Sequence, residues 1–102
     1  MTIHKYVAEN NEQVTILIED RFDFSVHQQF RDAYVDCNKA DTEIIIDLSK
    51  TSYIDSSALG MILLLKDHVE KFACSFKIVK PNSTVNNILE IAQFHRLMMI
   101  EK

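Results

Sequence analysis

Residues 53–60 read Tyr-Ile-Asp-Ser-Ser-Ala-Leu-Gly and run directly into Met61-Ile62-Leu63-Leu64-Leu65. Gly60 is the only glycine in the chain. A helix start needs one side chain to accept from its free backbone N–H groups, and this stretch offers Asp55, Ser56 and Ser57. At 100° per residue, a helix from about Ser57 to Lys71 gathers Ala58, Ile62, Leu65, Val69 and Phe72 in one arc, with Met61 on its flank. That arc belongs to a core. Leu63 and Leu64 fall on the other side beside Asp67 and Lys71, with Gly60 one turn earlier. Such a face is a docking patch if a partner's backbone approaches the glycine and buries the leucines. Equally, surface leucines need no explanation, and another part of the chain can cover them.

The elements on either side set the architecture. Upstream, Glu43-Ile44-Ile45-Ile46-Asp47-Leu48 is an almost unbroken apolar run, which predicts a strand covered on both faces. Val14 to Ile18 is rich in β-branched residues and predicts another strand. Before it, Ile3 to Glu9 is mixed, and Asn10-Asn11 suits the tight turn of a hairpin. Phe24-Ser25 opens a helix, with Ser25 and Gln28 at capping-box spacing. Val26, Phe30, Ala33, Tyr34 and Cys37 then form one helical face. Downstream, Cys74 to Val79 predicts a strand, and Pro81-Asn82-Ser83 starts a third helix with Val85, Ile88, Leu89 and Ala92 on one side. Leu97 to Ile100 returns as an edge strand. Helices alternating with strands after an N-terminal hairpin imply an α/β fold, a mixed sheet with helices packed against it.

Composition bounds the function. The 102 residues suit a single domain spanning 1–102, with 47% hydrophobic and 25% charged residues. A net charge of −4 argues against nucleic acid as a partner. The longest apolar run, Leu59 to Leu65, is too short to span a bilayer, and the N-terminus does not read as a signal peptide. Cys37 and Cys74 read as reduced thiols of a cytoplasmic protein. The four histidines and two cysteines lack metal-ligand spacing, so neither metal nor other cofactor is expected. With no Gly-x-Ser-x-Gly elbow and no phosphate-binding glycine loop, an enzyme is not expected either. His68 sits at the margin of the core face and reads as a boundary residue.

The three oxygens remain. Capping accounts for one, and no Glu or Gln stands at the capping-box position behind Ser56 or Ser57. A hydroxyl at a helix start suits phosphate. A phosphoryl group of roughly −1.5 to −2 charges beside Asp55 would meet like-charge repulsion.

Asp55-Ser56-Ser57-Ala58-Leu59-Gly60 resembles the Asp-Ser-Ser-Gly-Leu-Gly signature of STAS domains, the anti-anti-sigma factor (anti-sigma factor antagonist) family. Arg21-Phe22-Asp23-Phe24 resembles the family's Gly-x-Leu-Asp element, and Ile44 to Leu48 the strand leading into its loop. The order of elements agrees along nearly the whole chain. The resemblance implies a mixed sheet of four to five strands with an N-terminal hairpin and three to four helices. It also implies a non-enzymatic phosphoswitch. Ser56 would be the acceptor (Ser57 second), surrounded by Asp23, Asp55 and Ser57. Gly60, Leu63, Leu64 and Asp67 would meet the partner, an anti-sigma factor that is a histidine-kinase-like serine kinase. A PP2C-type phosphatase would reset the switch. Ala58 replaces the usual glycine, Arg21 and Phe22 alter the second element, and Phe94-His95 stands where a Ser-Gly-like turn is common. STAS-like domains also serve as soluble parts of membrane transporters, which would make the same face a constitutive contact without phosphorylation.

Overall fold

In the computed structural model, residues 2–10 and 12–102 are described. Strand β1 (Ile3–Val7) pairs antiparallel with β2 (Gln13–Ile18), from Ile3 opposite Ile18 to Val7 opposite Val14. The hairpin is therefore present. The expected Asn10-Asn11 turn lies partly outside the described residues, because Asn11 is not among them; Asn10 Oδ1 accepts from the Glu12 N–H at 3.0 Å.

From β2 the sheet grows by parallel pairing to β4 (Glu43–Asp47), β6 (Ser75–Val79) and β7 (Met99–Glu101), giving the order β1-β2-β4-β6-β7. Each parallel step needs a crossover. These carry α1 (His27–Tyr34), α2 (Ser56–Lys71) and α3 (Ser83–Ile91). A mixed five-stranded sheet with three helices and an N-terminal hairpin matches the expected fold.

Burial along the strands differs from expectation. In β4, Ile44 and Ile46 are fully buried while Glu43, Ile45 and Asp47 are only half-buried. In β2, Val14, Ile16 and Ile18 alternate in the same way with Thr15 and Leu17. The helical layer covers one face of the sheet and leaves the other open, so the apolar run of β4 does not mark a strand buried on both sides. Cross-strand neighbours such as Thr15, Ile45 and Lys77 shield one another on the open face.

The core joins this sheet face to Val26, Phe30, Ala33 and Tyr34 before and on α1, to Ala58, Met61, Ile62, Leu65 and Val69 on α2, and to Val85 and Leu89 on α3. Most of each predicted helical face is buried, Cys37 included, while Phe72, Ile88 and Ala92 on those faces are half-buried. Burying side chains the size of Ile62 or Leu65 contributes about 1.5–3 kcal/mol each.

The start of α1 needs a correction. Its entry is a 3₁₀ turn over Phe24–Val26, and the cap is Asp23. Ser25 does not head a capping box: its N–H and hydroxyl both donate to Asp23, while Gln28 reaches forward to Asp32 at 2.9 Å. Helix α2 ends without glycine. Ala73 takes φ 57°, the Cys74 N–H donates to Val69 O at 2.8 Å and the Ala73 N–H to Glu70 O at 3.5 Å. That pair of bonds is a Schellman motif. Gln93 takes φ 61° after α3, and a 3₁₀ turn over Phe94–Arg96, anchored by buried Phe94, leads to β7. The last strand thus forms at Met99–Glu101, slightly later than the sequence predicts.

Two short strands have no counterpart in the sequence reading. β3 (Asp20–Phe22) and β5 (Thr51–Ile54) pair in parallel as a separate two-stranded sheet. Thr51 anchors it: its buried hydroxyl donates to Ile18 O at 2.7 Å, and its carbonyl accepts from Asn82 Nδ2 at 2.9 Å. Asn82 Oδ1 also caps α3 through the Val85 N–H at 2.8 Å.

Candidate functional site

The small sheet positions the site. Arg21 lies opposite Tyr53 and Phe22 opposite Ile54, so both strands end side by side, at Asp23 and Asp55. Phe22 and Ile54 point into the core. Side chains alternate across a strand, which places Arg21, Asp23, Tyr53 and Asp55 on the opposite face.

Both aspartates then cap a helical segment in one chemical pattern, Asp-x-Ser. Asp23 accepts from the N–H and hydroxyl of Ser25. Asp55 accepts from the Ala58 N–H at 3.1 Å and from the Ser57 hydroxyl at 2.6 Å. Two of the three oxygen-bearing side chains at the start of α2 are therefore engaged with each other and with the helix. The third is Ser56. It is exposed, and its hydroxyl has no hydrogen-bond partner among the described residues. In the other copy of the pattern the corresponding position is Phe24, which is 66% exposed and stacks on His27 with centroids 4.7 Å apart.

The hydrogen bonds set the charge state. The Ser57 hydroxyl, helped by the Ala58 and Ser57 N–H groups, holds the Asp55 carboxyl below its ordinary range, against partial desolvation and the like charge of Asp23. Asp23 is also held low, first by the Ser25 hydroxyl and then by Arg21. Arg21 Nε donates to Asp23 Oδ2 at 3.0 Å, and the guanidinium lies 4.4 Å over the Tyr53 ring. Its proton is held more tightly than usual, chiefly by that bond to Asp23 and further by the charge of Asp55. The site is thus two ionised carboxylates, one arginine and one free hydroxyl.

Further along α2, Gly60, Leu63, Leu64 and Asp67 are all exposed, with Leu63 at 40% and Leu64 at 59%. Among the described residues, both leucines keep a large exposed surface, although Leu64 flanks side chains of α1. A Cβ built on Gly60 would meet nothing within 4 Å. Leu64 also borders a shallow groove between α1 and α2, lined by His27, Phe30, Arg31, Tyr34 and Met61. His68 is used structurally: Nε2 lies 3.0 Å from Cys37 O, and the ring meets Tyr34 edge-on at 5.1 Å. It stands twelve positions along the helix from Ser56, about 18 Å at 1.5 Å per residue, so it is no base for that hydroxyl.

Asp23, Asp55, Ser56 and Ser57, picked out from the sequence, come together at one place. Tyr53, and Phe24 and Arg21 as members of the site, were missed. The signal for them is the repeated Asp-x-Ser at 23–25 and 55–57.

Residues 5–102 match the STAS domain family model. The chain belongs to the STAS domain family. A STAS-domain containing protein of Pseudomonas aeruginosa is 38% identical over 100 residues, covering 98% of this chain and 99% of that protein. Among solved structures, the anti-sigma factor antagonist SpoIIAA in its unphosphorylated form superposes with a TM-score of 0.73 at 19% identity, over 98% of this chain and 87% of that one. The phosphorylated form of SpoIIAA gives 0.68 at 20% identity, covering 98% and 91%. A sulfate transporter family protein from Wolinella succinogenes gives 0.79 at 13% identity, covering 95% and 80%. At these identities the structural likenesses establish the fold. Among the described residues, no helix is long and apolar enough to cross a membrane.

Proposed function

We propose that this STAS domain is a binding module switched by phosphorylation at Ser56, an anti-sigma factor antagonist with no catalytic activity of its own. The observation that carries this reading is the division of labour at the start of α2. The Ser57 hydroxyl gives its one donor to Asp55 Oδ1 in the cap, whereas the Ser56 hydroxyl is exposed, without a partner among the described residues, and free to attack a phosphoryl donor. The partner is an anti-sigma factor that is itself a serine kinase of the histidine-kinase-like type, acting in the cytoplasm where ATP is available. It docks on Gly60, Leu63, Leu64 and Asp67, beside the hydroxyl it modifies. Transfer of the γ-phosphoryl group from ATP forms the Ser56 Oγ–P bond, breaks the bond to ADP and releases the hydroxyl proton.

The product carries a dianion next to Asp55 and Asp23, at the edge of the docking face. New charge there must be desolvated or repelled when the partner binds, so the phosphorylated form lets go. A PP2C-type phosphatase returns the free hydroxyl by hydrolysis. SpoIIAA, an anti-sigma factor antagonist of the same fold, is solved in both phosphorylated and unphosphorylated forms, and that supports reading this fold as one that carries a phosphorylation switch.

The test is incubation with ATP and the serine kinases encoded beside this protein's gene, followed by mapping of the phosphate by mass spectrometry. Label on Ser56 is expected, and its absence with every candidate would overturn the switch. Binding then separates this reading from a transporter-type contact. Ser56→Asp should weaken the complex while Ser56→Ala preserves it, whereas equal affinities would mark a constitutive interface.

A further inference from the structure

We propose that Arg21 is the residue that grips the phosphate on Ser56 from within the chain, so that the phosphorylated form holds its own phosphoryl group against the β3/β5 pair. The proposal deepens the switch reading and rests on Ser56 as the acceptor.

Arg21 is placed for this by the register of the small sheet. It lies opposite Tyr53, and both side chains share a face with Asp23 and Asp55. Ser56 follows Asp55 directly, three residues beyond Tyr53, which is at most about 10 Å along the strand direction. Two extended side chains, an arginine and a phosphoserine, close that distance. The guanidinium is also available. One of its five N–H groups, on Nε, donates to Asp23, and the remaining four have no partner among the described residues. Its side chain is 64% exposed, and the Tyr53 ring 4.4 Å beneath it supplies a platform without using up a donor. A planar fork with free N–H groups fits phosphate oxygens in a two-pronged arrangement that lysine does not reproduce.

The charge balance favours the transfer. Before phosphorylation the arginine answers two carboxylates, Asp23 directly and Asp55 at longer range. Phosphorylation adds a third anion to the same edge. When the guanidinium leaves Oδ2, Asp23 keeps the Ser25 N–H and hydroxyl bonds on Oδ1. Arg21 is then drawn to the group with the higher charge density, and it offsets part of the repulsion between the phosphate and the two aspartates.

The experiment uses full-length protein with phosphoserine installed genetically at position 56, so no kinase is involved. The second ionisation of the phosphate is followed by ³¹P NMR at low salt. Removing the arginine (Arg21→Ala) should raise the phosphate's second pKa by about half a pH unit. Arg21→Lys should restore part of the difference, and Tyr53→Leu should give an intermediate curve. Thermal melts of each variant close to the parent confirm that the fold is intact. Superimposable titrations of the parent and Arg21→Ala would overturn the proposal, even if kinases label Ser56. Failure of every kinase to label Ser56 would sink the switch reading instead and leave this measurement standing.

Discussion

The Ser57 hydroxyl donates to Asp55 Oδ1 at 2.6 Å while the same oxygen accepts from the Ala58 N–H at 3.1 Å. One carboxylate oxygen thus holds both the first turn of α2 and the side chain next to the acceptor. Truncating Asp55 to alanine removes the cap and should cost about 1 kcal/mol in urea unfolding. Ser57→Ala leaves the cap but frees a carboxylate lone pair, and should cost less. Ser56→Ala should leave the midpoint within the range of neutral surface changes. Equal losses at positions 56 and 57 would contradict this assignment of the two serines.

A pH dependence follows from the two caps. Asp23 and Asp55 are both held below the ordinary value of 3.8 by hydrogen bonds present only in the folded chain. A carboxyl with a depressed folded pKa adds stability above its unfolded pKa. That contribution is lost as pH falls through the folded value. Their contribution is therefore complete at neutral pH and disappears on the acid side of about pH 4. In Asp55→Asn the acid limb of a stability-against-pH curve should be shallower than in the parent. An unchanged slope would show that the depression of Asp55 has no counterpart in stability.

Ala73 sits at φ 57° in the Schellman turn after α2, where glycine is the residue usually found. A left-handed alanine costs roughly 1–2 kcal/mol in the folded chain. Glycine relieves that strain but loses more entropy on folding. The net expectation for Ala73→Gly is a gain of about 0.5–1 kcal/mol, read as a higher urea midpoint at unchanged slope. The turn is at the far end of α2 from Ser56, so partner binding should not change.

What the sequence made legible follows from periodicity. Spacing at 3.6 residues gives the centres of the three buried helical arcs and the outward position of Leu63 and Leu64, while Phe72, Ile88 and Ala92 at the arc ends are only half-buried. β4 was read as covered on both faces because an isoleucine run carries no mark of which face is open; Ile45 is apolar yet only half-buried. β3 and β5 are three and four residues long, too short for a period-2 pattern to emerge. Their pairing is fixed by long-range contacts such as Thr51 to Ile18 O, which no local window contains. Missing that pair hid the position of Arg21 and Tyr53, even though the serine beside them was read from its own surroundings. The cap of α1 was assigned to Ser25 for a related reason: Asp-x-Ser offers two capping side chains, and spacing alone does not say which one accepts.

The chain's single glycine gives the sharpest test of the docking face. Gly60 lies inside α2 with no positive φ to require it, and a Cβ there would meet nothing within 4 Å. By helix propensity alone, Gly60→Ala should stabilise the free protein by about 0.5–1 kcal/mol. A residue that lowers stability with no structural return in the free chain is explained if a partner's backbone lies against it. Gly60→Ala should therefore raise the melting temperature and at the same time weaken the complex with the kinase partner. Leu63→Asp, on the same face, should weaken the complex while leaving the melt near the parent. Calorimetric titration beside a thermal melt reads both quantities in one preparation. A stabilised Gly60→Ala variant that binds as tightly as the parent would move the interface away from this turn of α2, and an unchanged Leu63→Asp affinity would remove the rest of the face.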